Sequence, residues 1–153
     1  LATEQTPGTE KLTIRPLRAA DYAELCDVWR AAGLSVRPHG RDAEPEFRKQ
    51  LARFASCYLA AEIDGRIVGV VLGTHDVRKG WINRLAVRPQ YRQRGIARRL
   101  VEACEQALVA EGIEIIAALV EEGNEPSARL FASQGYKTDV PVYYFRKPLR
   151  TDI

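Results

Sequence analysis

The chain has 153 residues, enough to bury one substantial core. A formal net charge of +3 is too small to imply nucleic-acid binding. No long apolar run and no signal-peptide pattern is present, so a cytoplasmic protein without a membrane span is the expectation.

Residues 1–10 carry no periodicity and are expected to be disordered or extended. Residues 11–153 read as one domain, with no repeat, linker or low-complexity stretch. KLTIRPL (11–17) alternates apolar and polar residues, the pattern of a strand. In the segment that follows, Tyr22, Leu25, Cys26 and Trp29 share one helical face, and Gly33 closes the helix. A loop spans 34–43. A second helix begins near Pro45 and carries Phe47, Leu51 and Phe54 on one side.

YLAAEI and RIVGVVLGTH flank Asp64-Gly65, a two-residue hairpin signal, and WINRLAV (81–87) extends the meander. A third helix is expected from about Gly95 to Glu111, with an apolar stripe of Ile96, Leu100, Cys104 and Leu108. IEIIAALV (113–120) reads as a strand buried on both faces. A short helix follows, with Asn124 near its cap and Gly135 at its end. YKTDVPVYYFRKPL is expected to supply one or two closing strands, broken at Val140-Pro141. The order is that of a mixed α/β fold in which 81–87, 95–111 and 113–120 form a parallel βαβ unit.

Cys26, Cys57 and Cys104 are few and far apart, with no CxxC pair, so neither a disulfide framework nor a metal site is supported. They are expected to be buried packing residues. The unusual stretch is RQRGIARRL (92–100), because arginines crowd a helix start, where the peptide dipole already carries positive charge. Unpaired amides, the small residues Gly95 and Ala97, and forked guanidinium donors together make an anion site. A pyrophosphate or a phosphorylated cofactor fits it best. There is neither a GxxxxGK[ST] nor a GxGxxG pattern, so a P-loop or a dinucleotide fingerprint is not indicated.

RQRGIA, preceded by INRLAVRPQY and followed by NEPSARLFASQGY, resembles the corresponding motifs of the GNAT superfamily of acetyl-CoA-dependent N-acetyltransferases. The order of elements is similar along nearly the whole chain. The resemblance implies an α/β (α+β) fold with a mostly antiparallel sheet. Its central parallel pair would splay to admit the cofactor, with helices on both faces. It also implies transfer of an acetyl group from acetyl-CoA to a primary amine, carried by a small molecule or a peptide, in a monomer or homodimer. No metal, nucleic-acid or membrane partner is implied.

By the same resemblance, the amides of Arg94, Gly95, Ile96 and Ala97 hold the pyrophosphate. Arg92 and Gln93 open the turn, and Arg98 lies beside it. Main-chain groups of Leu85, Ala86 and Val87 pair with the pantetheine arm. Asn124, Ser127 and Phe131 complete the cofactor side. The pattern departs from the family at two points. Phe131 stands where many members carry an acidic tyrosine hydroxyl, and Tyr136, Tyr143 or Tyr144 would have to replace it. Asn83 and Leu119 stand where some relatives place a glutamate. The catalytic candidates are therefore Asn83, Glu121, Glu122, His75 and Tyr136, with His39 a further possible base. Arg37, His39, Arg41 and Arg84 are candidates for the acceptor side. Two other readings remain: an acyl-CoA-binding module without turnover, and a small nucleic-acid-binding domain.

Overall fold

The computed structural model describes residues 11–151 and 153. The segment 1–10 lies outside the described residues. A five-stranded sheet runs in the order β1-β2-β3-β4-β5. Its strands are β1 (Leu12–Pro16), β2 (Tyr58–Ile63), β3 (Arg66–His75), β4 (Gly80–Val87) and β5 (Ile116–Ala118). The helices are α1 (Tyr22–Ala31), α2 (Glu44–Arg53), α3 (Ile96–Ala110) and α4 (Glu125–Ser133). β1 to β4 pair antiparallel, while β4 and β5 pair parallel around α3.

Strand alternation sorts the core onto two faces. Leu59, Ala61 and Ile63 of β2 point toward α3, where they meet Leu100, Val101, Cys104 and Leu108. Tyr58 and Ala60 point the other way, toward Leu25, Val28, Trp29 and Phe47 of α1 and α2. Both halves of the pattern are apolar because helices cover both faces.

Two bulges interrupt the ladder. One leaves Val68 of β3 without an opposite number between Ala61 and Glu62. In the other, Asn83 pairs with Leu72 and Ala86 with Val70, so Arg84 and Leu85 stand opposite Val71 alone. Arg84 takes a φ of 54°, which a non-glycine residue adopts at a cost of about 1–3 kcal/mol.

Two segments differ from the sequence expectation. β5 is three residues long rather than 113–120, and the segment is not buried on both faces: Ile116, Ala117 and Ala118 are half-buried, and the flanking Ile115 and Leu119 are exposed. An edge strand has a neighbour on one side only, and β4 departs from it after Ile82↔Ala118. The closing strands expected within 136–149 are absent, because that segment joins no sheet. The three cysteines are free and buried, as expected.

Among the described glycines, the tightest surroundings are those of Gly73 of β3. A Cβ there would lie 2.6 Å from Cys104 Sγ and 3.0 Å from Cys57 Cβ. Gly73→Ala should lower stability by about 1–3 kcal/mol in urea unfolding, as overpacked cores do. Adding Cys104→Ala should recover part of that loss; equal loss in the single and double variants would refute the clash.

Candidate active site

β4 positions the site. β5 accompanies it only through Gly80, Trp81 and Ile82, so residues 83–87 keep an edge with no strand beside it among the described residues. Beyond this edge the chain turns through Pro89–Tyr91 and enters α3. Arg88 fixes the start of that turn, since its Nε donates to the Ile67 carbonyl at 2.8 Å and the residue is buried. Arg94 stacks on Tyr91, with 5.0 Å between the guanidinium carbon and the ring centroid.

Gln93 and Gly95 both take positive φ, 62° and 76°. Gly95 is the N-cap of α3, and no side chain caps the helix. The first intrahelical bond runs from Arg99 N to Gly95 O at 3.1 Å. The amides of Ile96, Ala97 and Arg98 precede it and point out of the helix start. A Cβ on Gly95 would meet no atom within 4 Å, so the space before the turn is open. Backbone conformation requires this glycine, and the open space suits a phosphate. The Arg98 side chain serves another end: Nη2 donates to Ser133 Oγ at 3.3 Å, which ties α3 to α4.

A cleft of about 980 Å³ opens where β4 and β5 part. Leu85, Asn124, Ser127 and Phe131 line it on one side, with Leu119, Val120 and Glu121 beside them. Asn83, Arg84, Thr74, Tyr58 and Phe54 line the rest, and Arg41 and Asp42 lie at its border. Asn124 caps α4, its Oδ1 accepting from Ser127 N at 3.3 Å. The side chains of Ala86 and Val87 are buried on opposite faces of the sheet, so only their main chain reaches the open edge.

The catalytic candidates separate by position. Asn83 and Glu121 line the cleft; Glu122, His75 and Tyr136 do not. Tyr136 donates its hydroxyl to Glu105 on α3 at 2.7 Å, and burial together with that carboxylate raises its pKa. His75 has both ring nitrogens engaged: Nδ1 accepts from Val77 N at 3.1 Å, and Nε2 pairs with Glu111. The Ser56 hydroxyl and His75 hold the Glu111 carboxyl below its ordinary pKa, against a smaller upward push from burial. Asn83 Nδ2 donates to Thr74 Oγ1 at 3.0 Å and to the Trp81 carbonyl at 3.4 Å, which leaves Oδ1 to accept.

Of the acceptor-side candidates, Arg84 lies in the cleft while Arg37 and His39 do not. Arg84 covers the Trp29 ring at 4.2 Å and donates to the Ser35 carbonyl at 2.8 Å. Its Nε is buried without a hydrogen-bond partner. Burial lowers the guanidinium pKa, and Asp42 partly offsets this. The sequence pattern did not single out Asp42, Tyr58 or Thr74, and it marked Phe54 only for the apolar side of the second helix. Alternation places Tyr58 on the α1 side of the sheet, but no local signal says that this side ends in a cleft.

The fold matches that of several acetyltransferases. PaiA N-acetyltransferase from Thermoplasma acidophilum, solved in complex with coenzyme A, is 19% identical with a TM-score of 0.75, over 84% of this chain and 91% of that one. The aminoglycoside N-acetyltransferase AAC(6')-Iy in complex with CoA is 16% identical, with a TM-score of 0.72 over 93% and 98% of the two chains. Diaminobutyrate acetyltransferase EctA from Paenibacillus lautus, in complex with L-2,4-diaminobutyric acid and coenzyme A, is 23% identical, with a TM-score of 0.68 over 82% and 75%. Identities this low establish the fold alone. The sequence pattern of the Acetyltransferase (GNAT) family, however, matches residues 22–136, from the start of α1 to the residue after Gly135. That span holds the open edge of β4, the Gly95 turn and the cleft, and by it the chain belongs to the GNAT acetyltransferase family.

Proposed function

We propose that this protein is an N-acetyltransferase that moves an acetyl group from acetyl-CoA to a primary amine by direct attack in a ternary complex. The observation that carries this reading is the continuity of the open β4 edge with the turn at Gln93–Gly95. Main-chain groups of Leu85 and Val87 would hold the pantetheine arm as an added strand. The amides of Gly95, Ile96 and Ala97, with the α3 dipole, would hold the pyrophosphate. Arg92 and Arg94 add charge that matches it.

Bound acetyl-CoA supplies an activated carbonyl and a thiolate leaving group. The bulge at Arg84 and Leu85 removes main-chain groups from the ladder to β3. An amide from it, aimed at the developing oxyanion, would contribute about 3 kcal/mol. Asn83 Oδ1 accepts an N–H of the incoming amine, and Glu121 takes the amine proton through water. Phe131 is 8% exposed and packs edge-on against Tyr136, so α4 offers no hydroxyl at this position. The leaving thiolate departs unaided, as a thiol pKa near 8.5 allows. An acyl-enzyme route is disfavoured because burial pushes up the pKa of Cys26, Cys57 and Cys104, the last to about 12.

Coenzyme A release from acetyl-CoA with a panel of amines tests the reaction. Stabilisation by acetyl-CoA without release in any member would instead support the binding module. Freeing the proton of a lysine ε-amine at pH 7 costs roughly 4–5 kcal/mol, against about 1 for an α-amine. Modest acid–base machinery therefore suits the α-amine. Initial rates between pH 6 and 9 should favour α-amine acceptors, and a strong lysine preference at pH 7 would contradict this. Glu121→Gln should cut kcat most at low pH, where the amine needs the most help; a uniform loss across pH would point to a structural role. Gly95→Glu should abolish the rise in melting temperature with acetyl-CoA and leave the circular dichroism of the free protein unchanged.

A further inference from the structure

The bulge in β4 also redirects side chains. Those of a regular strand alternate between faces. Ile82 and Leu85 pack on the α3 side of the sheet, and Ala86 packs on the α1 side. Between them, Asn83 and Arg84 both turn to the α1 side. Asn83 Nδ2 donates to Thr74 Oγ1, two residues on from Leu72 on that face, and the Arg84 guanidinium covers Trp29 of α1. Two consecutive side chains thus enter one cleft.

Arg84 is incompletely partnered for a half-buried cation. Of its five N–H donors one, on Nη2, meets the Ser35 carbonyl at 2.8 Å. Asp42 Oδ2 lies 3.8 Å from Nη2, beyond hydrogen-bond distance, and accepts from Arg37 N at 2.8 Å. Among the described residues Nη1 has no hydrogen-bond partner, and unlike Nε it is not buried. Stacking on Trp29 occupies the face of the guanidinium and leaves its in-plane donors for a planar anion. The wall that presents it is built in advance. The Tyr22 hydroxyl of α1 donates to the Asp42 carbonyl at 2.6 Å, and Gln50 Nε2 of α2 donates to the Arg41 carbonyl at 3.1 Å.

Charge divides across the cleft in the same sense. Glu121 lies on the cofactor side, while Arg41 and Arg84 lie opposite, with Asp42 already engaged. An amine held at Asn83 and Glu121 therefore has cationic groups facing the rest of its molecule. We infer that Arg84 selects acceptors that carry a carboxylate close to the reacting amine, taking that carboxylate on Nη1 with Arg41 beside it. The carboxylate belongs to a free α-amino acid or to an acidic first residue of a peptide. The inference rests on the acetyl-transfer reading for the amine, and on the Arg84 geometry for the carboxylate.

Alanine against alaninamide tests the first source, and Glu-Ala-Ala amide against Gln-Ala-Ala amide tests the second. Coenzyme A release is compared at equal concentrations of neutral amine, since the carboxylate alters the amine pKa. In at least one pair the carboxylate member should have a kcat/KM about tenfold higher, carried mainly by KM, as a charge-assisted hydrogen bond implies. The pair that shows the preference identifies the source. Arg84→Gln should bring the ratio close to one, and Arg84→Lys should keep part of it. No preference in either pair, or an equal loss for both members in Arg84→Gln, would overturn the inference and leave acetyl transfer standing. Should Arg84→Gln unfold, Arg84→Lys decides, and an unchanged ratio would overturn it. No release from any amine would defeat the transfer reading instead. Calorimetric titration of the same pairs into protein saturated with coenzyme A then decides the carboxylate site, and equal affinities within both pairs would overturn it.

Discussion

The parting of β4 from β5 organises the molecule. The two strands share three residue pairs, and β4 then continues without β5 to Val87, paired with β3 only. The bulge at Arg84 and Leu85 falls just past the last shared pair. Packing from both sides stabilises it: Trp29 of α1 lies under the Arg84 guanidinium and Nε1 donates to the Arg84 carbonyl at 3.4 Å, while Leu85 packs toward the α3 side. A positive φ at arginine survives only where the surroundings over-determine it. The open edge and the cleft both follow from this one departure.

On the proposed cofactor site, arginines at a helix start have a physical reason. Arg92 and Arg94 sit where the α3 dipole is already positive, and their repulsion is an expense as long as no anion is near. With a pyrophosphate before the Gly95 turn, as proposed, dipole, amides and guanidiniums would act on the same negative charge. Arg88 and Arg98 belong to a different group. One is buried against β3 and the other ties α3 to α4, so both side chains make structural contacts despite lying in the same basic run.

Much of the fold was legible in the sequence because it is carried by local periodicity. The stripe Ile96, Leu100, Cys104, Leu108 is buried along α3, and the alternation in β2 divides the core between two faces. The Gly95 turn was legible because a left-handed residue before a helix has a chemical signature. Arg84 has none, since nothing in its side chain announces a positive φ. Tyr136 and His75 illustrate the opposite difficulty. Their chemistry made them candidates, but Glu105 and Glu111 occupy the atoms that would have acted, and neither partner is near in sequence.

The two ends of the prediction for residues 113–149 differ for the same reason. IEIIAALV and VPVYYF have the composition of strands, and composition reports that a segment can pair. It does not report with what. The sequence by itself determined the helices, the first four strands, their order and the turn at Gly95, because these depend on residues a few positions apart. Tertiary structure decided where β4 leaves β5, which candidate side chains face the cleft and which edges stay open, because these depend on contacts between segments tens of residues apart.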